Sequence, residues 1–145
     1  MSHLLRSVDV DDLADLEALD VAYAARHGLA PVVGAASLAF YARSGHAFVA
    51  TDGASAVGFA LAQAVWDGAR PTVRLVRLAA AAAAGPALAE AVVKSAYDAA
   101  VYDLVADVPA SDVALASLLA AAGWGERPVR RFERALGSRA VRSAA

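Results

Sequence analysis

The chain contains no cysteine, and Lys94 is its only lysine. The missing thiols exclude disulfides, thiolate zinc sites, cysteine nucleophiles and cysteine-held iron–sulfur clusters. The three histidines, His3, His27 and His46, share no short ligand spacing, so no metal is expected. Long apolar runs are also absent. The longest weakly polar stretches, Leu78–Ala89 and Ala54–Trp66, are too short and too alanine-rich to span a bilayer, so no membrane partner is expected. The opening Met1–Arg6 carries one arginine and soon meets Asp9, Asp11 and Asp12, the wrong order for a secretory signal. A cytoplasmic location is therefore the expectation. The net charge of −2 provides no basic field, and nucleic acid is not an expected partner.

What is present suits one domain of ordinary size. The 145 residues are 59% hydrophobic, a figure raised by alanine, with the larger apolar side chains in short clusters. Residues 1–136 read as a single domain, and 137–145, small, polar and aperiodic, as a flexible tail. Charge is unevenly placed. Asp9, Asp11, Asp12, Asp15, Glu17 and Asp20 make the first helix acidic, while Arg127, Arg130, Arg131, Arg134, Arg139 and Arg142 make the C-terminal segment basic. Such runs usually form solvated faces, and the arginines could also form an anion-binding or partner-binding stripe.

His3–Ser7 reads as a strand. Asp9 caps a helix to about Tyr23, with Leu13, Leu16, Leu19 and Tyr23 as its apolar stripe. Residues 26–34 form a loop containing His27, and a second helix covers about Ala35–Arg43. His46–Ala50, Val57–Trp66 and Thr72–Leu78 read as an antiparallel meander, separated by the turn signals Thr51-Asp52-Gly53 and Asp67-Gly68. Gly85-Pro86 opens a third helix. Tyr102–Val108 is a buried-type strand, and Ser111 or Asp112 caps a fourth helix that Gly123 stops. Val129–Leu136 reads as a last, arginine-rich strand near an edge. The fold class is α/β (α+β): a mixed, mostly antiparallel sheet flanked by helices, in the order βα-α-βββ-α-β-α-β.

That order resembles the GNAT N-acetyltransferase superfamily over nearly the whole chain. Leu5-Arg6 before Asp11-Asp12-Leu13 is similar to the family's entry into its first helix. Ala56-Val57-Gly58-Phe59-Ala60 is similar to its third-strand start, and Ala122-Gly123-Trp124 to its glycine-aromatic step. The stretches Gly58–Trp66 and Val93–Ala99 further resemble a small group of bacterial GNAT-like proteins without an assigned function.

The resemblance implies acetyl-CoA or another acyl-CoA as a ligand. Pantetheine would follow the fourth strand at Val76, Arg77 and Leu78. Pyrophosphate would meet the N–H groups of Ala84, Gly85 and Ala87, where a helix start attracts anions. Asp112 takes the place of the family's asparagine at the fourth helix. Three departures stand out. Ala82 occupies the family's Arg/Gln position, Pro86 lacks a backbone N–H, and Leu119 stands where a tyrosine normally protonates the departing thiolate. Arg74 and Arg77 fall on opposite faces of a regular strand, and the family's fourth-strand bulge would bring them together. Asp107, ending the fifth strand, is the candidate catalytic base if burial raises its pKa. His27 and Trp66 are candidates to line the substrate cleft.

Two readings follow. One is an acyl-CoA-dependent N-acyltransferase acting on an unidentified amine, with the acidic first helix steering a cationic substrate. The alternative is a non-catalytic GNAT-fold module with a degenerate CoA site, binding a small-molecule ligand or forming a homodimer.

Overall fold

The computed structural model describes residues 3–81 and 83–137. Strand β1 (Leu4–Ser7) leads to Asp9, whose carboxylate caps a single turn of 3-10 helix, Val10–Asp12. Asp12 returns the bond by accepting from the Asp9 N–H at 2.8 Å, the reciprocal arrangement of a capping box. Helix α1 (Leu13–His27) follows and ends at Gly28, which takes φ +63°. Nothing in Ala24-Ala25-Arg26 breaks the helix before that glycine. It therefore continues one turn past the expected end, and His27 sits on its last turn rather than in a loop. Helix α2 is Ala35–Ala42.

The sheet contains β2 (Phe48–Asp52), β3 (Ser55–Trp66), β4 (Pro71–Ala80) and β5 (Asp103–Ala106), in the spatial order β1-β2-β3-β4-β5. The first three pairings are antiparallel. Helix α3 (Gly85–Asp98) crosses between β4 and β5, which pair in parallel, as a crossover requires. Helix α4 (Val113–Ala121) comes last. One sheet face packs Ala60, Ala62, Val73 and Leu75 against Leu88 and Val92 of α3 and Leu115 and Leu119 of α4. The other packs Val49, Phe59 and Leu61 against Leu16 and Tyr23 of α1 and Leu38 of α2. No helix among the described residues is long and apolar enough to cross a membrane.

The expected last strand does not form among the described residues. Residues 125–137 have no strand structure, and Val129, Phe132 and Leu136 are each more than three-quarters exposed. Their spacing of three and four residues cannot supply the period-two stripe that a half-buried strand needs. Arg131 instead contacts Asp107 and Glu133, each at 3.1 Å. The fold class stands with five strands, and β5 is a sheet edge. Residues 138–145 of the expected tail, and Ala82, lie outside the described residues.

Two irregularities in β4 matter most. Leu61 lies opposite Arg77 and Ala62 opposite Leu75, so Val76 is an extra, bulged residue. The bulge puts Arg74, opposite Gln63, on the same face as Arg77, as the bulge expectation required. Each arginine, however, is matched by acid. Arg74 lies 2.8 Å from Asp107 and 3.6 Å from Asp67, and Arg77 binds the fully buried Asp20 at 2.7 Å. The second irregularity is that β4–β5 pairing ends at Leu75 and Ala106 while β4 runs on to Ala80. Beyond that point β4 runs on without a β5 partner, because β5 ends at Ala106.

Removing Arg77 would strand a buried carboxylate. Arg77→Met is expected to lower unfolding free energy by about 3–5 kcal/mol, and Arg77→Met/Asp20→Asn to recover part of that loss, read from urea denaturation. A second test uses pH. The Arg6 hydrogen bond holds the Asp12 carboxyl below its ordinary pKa, helped by the Asp9 N–H and opposed by burial. The lowered value makes this contribution complete above the unfolded carboxylate's pKa and lost as acid titrates Asp12. Arg6→Met should therefore flatten the fall in stability below about pH 4.

Candidate functional site

Where β4 runs past the end of β5 lies a cleft of about 1080 Å³, walled by the end of β4, the first half of α3, one face of α4 and the last turn of α1. Leu78, Ala80 and Ala81 form the strand wall, and Gly85, Pro86 and Ala89 begin the helix wall. A Cβ at Gly85 would meet Leu118 Cδ1 at 2.8 Å, so glycine lets α4 cross closely over the start of α3. The α3 start has no side-chain cap, and Pro86 removes one of its backbone donors. The cleft therefore has an open strand edge on one side and few backbone donors at its helix end.

The polar end of the cleft is built from α1 and α4. Asp112 is the N-cap of α4: its Oδ1 accepts from the Leu115 N–H at 3.0 Å. Its Oδ2 accepts from the Tyr23 hydroxyl at 2.6 Å. Burial, then the Asp112 carboxylate, pushes the Tyr23 pKa well above its ordinary value, so the phenol remains a proton donor. One helical turn on, the His27 ring lies against Tyr23 with centroids 4.6 Å apart. His27 Nδ1 is 2.7 Å from Ser111 Oγ, and its Nε2 is 4.0 Å from Asp112 Oδ2. Both side chains are mostly withdrawn from water, at 13% and 12% exposure.

Tyr23 is positioned by the pair beneath it. Asp20 Oδ2 accepts from the N–H groups of Val32 and Val33 at 2.7 and 2.8 Å, while Arg77 bonds Asp20 Oδ1 and the Ala30 carbonyl. The Arg77 guanidinium carbon lies 5.5 Å from the Tyr23 ring centroid, within cation–π range.

The cleft thus brings together four of the residues singled out from sequence: Leu78, Gly85, Asp112 and His27. Val76 is the half-buried bulge, Arg77 is engaged below the sheet, Ala84 is buried and Ala87 exposed, and none of these four lines the cleft. Trp66 lies 76% exposed at the far end of β3. Asp107 lies outside the cleft, half-exposed between Arg74 and Arg131. Tyr23 and Ser111 are the functional candidates that sequence reading passed over. A helix continued to Gly28 would have put Tyr23 and His27, four residues apart, on one face.

The chain matches the family described as protein of unknown function (DUF1999) over residues 4–142. It is similar to the solved structure of a variant of TTHA1254 from Thermus thermophilus, with 39% identity, TM-score 0.80, and coverage of 94% of this chain and 99% of that one. The aminoglycoside acetyltransferase meta-AAC0020 from an uncultured soil metagenomic sample, solved with sisomicin, shares 14% identity at TM-score 0.73, covering 94% and 96% of the two chains. A "predicted acetyltransferase" of Clostridium acetobutylicum, solved with acetyl-CoA, shares 9% identity at TM-score 0.69, covering 92% and 96%. The last two likenesses are of fold. No curated protein matches the chain. The chain belongs to the DUF1999 family and has the GNAT acetyltransferase fold.

Proposed function

We propose that this protein is an acyl-CoA-dependent N-acyltransferase. The observation that carries the reading is the run of β4 past the end of β5, forming one wall of a cleft whose other walls are α3 and α4. The acetyl-CoA complex of a protein with the same fold supports it. Of the strand and helix-start residues, Leu78 and Gly85, which line the cleft, would meet the ligand along β4 and at the α3 start. Acyl-CoA supplies an activated acyl group for an amine nitrogen. The chain's own contribution is to orient the amine against the acyl group.

One observation favours the alternative of a non-catalytic ligand-binding or dimeric module. Leu119 is not merely a missing tyrosine: it is buried among Leu88, Leu115 and Val92. The two readings differ in turnover, because only the enzyme releases CoA thiol when an amine is added.

Acetyl-CoA at 100 times its dissociation constant should raise unfolding free energy by about 2.7 kcal/mol, seen as a higher Tm. No shift at millimolar acetyl-CoA would count against both the enzyme and a retained CoA site. Ala81 is exposed on the cleft wall. Ala81→Trp should abolish the acetyl-CoA shift while changing unliganded stability by only about 0.5 kcal/mol.

A further inference from the structure

Three carboxylates among the described residues are largely withdrawn from water: Asp12, Asp20 and Asp112. Two are matched by arginine, Asp12 by Arg6 at 2.6 Å and Asp20 by Arg77 at 2.7 Å. Asp112 is different. Its described partners are a phenol, a backbone N–H and an imidazole 4.0 Å away. A carboxylate with little access to water and no full cation beside it favours binding one.

The geometry specifies which cation. His27 Nε2 and Asp112 Oδ2 are too far apart to bond each other. If Nδ1 donates its proton to Ser111 Oγ, Nε2 presents a lone pair to the same space that the carboxylate faces. Two acceptors 4.0 Å apart are both satisfied by one nitrogen about 2.8 Å from each, provided it carries at least two protons. The ammonium of a primary or secondary amine meets that requirement, and a hydroxyl or a tertiary or quaternary ammonium does not. The other charged groups on the cleft wall are Arg26 of α1 and Glu90 of α3, both exposed.

We propose that Asp112 and His27 form the amine subsite, which takes a primary or secondary alkylammonium: Asp112 pairs its charge and His27 Nε2 removes one proton. The ammonium N–H bond breaks, its electrons remain on nitrogen as the lone pair that acyl transfer requires, and a new N–H bond forms at Nε2. The imidazolium then returns its proton to water at the cleft mouth. Tyr23 is a positioning residue, holding the Asp112 carboxylate through its hydroxyl. The substrate class rests on the acyltransferase reading above, whereas the ammonium site itself can be measured without acyl-CoA.

The probe is n-butylammonium, titrated into the full chain with n-butanol as the uncharged control. Binding is followed by the ring resonances of His27, assigned from their loss in His27→Gln. The expected result is a saturable shift with n-butylammonium and none with n-butanol, and at least a tenfold weaker affinity in Asp112→Asn. Equal responses to amine and alcohol, or none to either, overturn the site even if Asp112→Asn does not fold, because this comparison uses the unmodified chain. In turnover with acetyl-CoA, His27→Gln should lower kcat by about 10²–10⁴-fold with little change in KM. An unchanged kcat overturns the base role. Failure of acetyl-CoA to stabilise the protein would count against the acyltransferase reading and leave the ammonium measurements standing.

Discussion

Asp20 is completely enclosed, and each of its oxygens has an assigned use: one takes Arg77, the other the N–H groups of Val32 and Val33. This pair ties together three parts of the chain that have no other reason to keep a fixed relation. They are the middle of α1, the segment leading into α2, and β4 next to its bulge. Hydrophobic burial alone would let α1 slide along the sheet, because Leu16 and Tyr23 present a generic apolar face. A buried ion pair is geometrically demanding and contributes little net stability, but it disfavours every arrangement that separates its members. The practical result is that Tyr23 and His27, one and two turns beyond Asp20, are held against α4. The cleft's polar end therefore depends on an interaction beneath it that touches no ligand.

The bulge at Val76 connects that constraint to the cleft. Without the extra residue, Arg77 would project to the α3 face and Asp20 would lose its counter-ion. The same part of β4 lies just beyond its last pairing with β5, at Leu75 and Ala106. The opening that admits a ligand and the arginine that locks α1 are thus neighbouring features of one strand. This explains how the chain retains an open GNAT-like cleft after losing side chains the family's chemistry ordinarily uses. The backbone features are required by folding, whereas a tyrosine at position 119 and extra donors along the α3 start are not.

Elements with strong local signals were legible in the sequence. The meander was marked by its turn residues, α3 by Gly85-Pro86, and α4 by Asp112 and Gly123. Even the bulge could be anticipated, from the family resemblance applied to two arginines in an apolar strand. The arginines' partners could not, because Asp20 lies 57 positions from Arg77 and reads locally as one more acid on an acidic helix. The same distance problem hid the site. Tyr23 and Asp112 are 89 positions apart, and His27 and Ser111 are 84. Tyr23 looked like core stripe and His27 like loop because the end of α1 was placed a turn early. The last strand failed for the opposite reason. Val129–Leu136 has strand-like composition, but its apolar residues do not alternate, and Arg131 has acids to bind instead.

The loss of a tyrosine at Leu119 bears on only one half of acyl transfer. A departing thiolate belongs to a thiol of pKa about 8.5, so near neutrality water reached through an open cleft protonates it without a dedicated acid. An alkylammonium is different, since it has no lone pair until a proton leaves, and no such substrate reacts without a base. Selection on the site should therefore act more strongly on the amine end than on the thiolate end. The structure has that asymmetry. Along α4 the cleft is lined by Leu118, Ala121 and other apolar groups, while its polar groups, Tyr23, His27, Ser111 and Asp112, converge where α1 meets the start of α4.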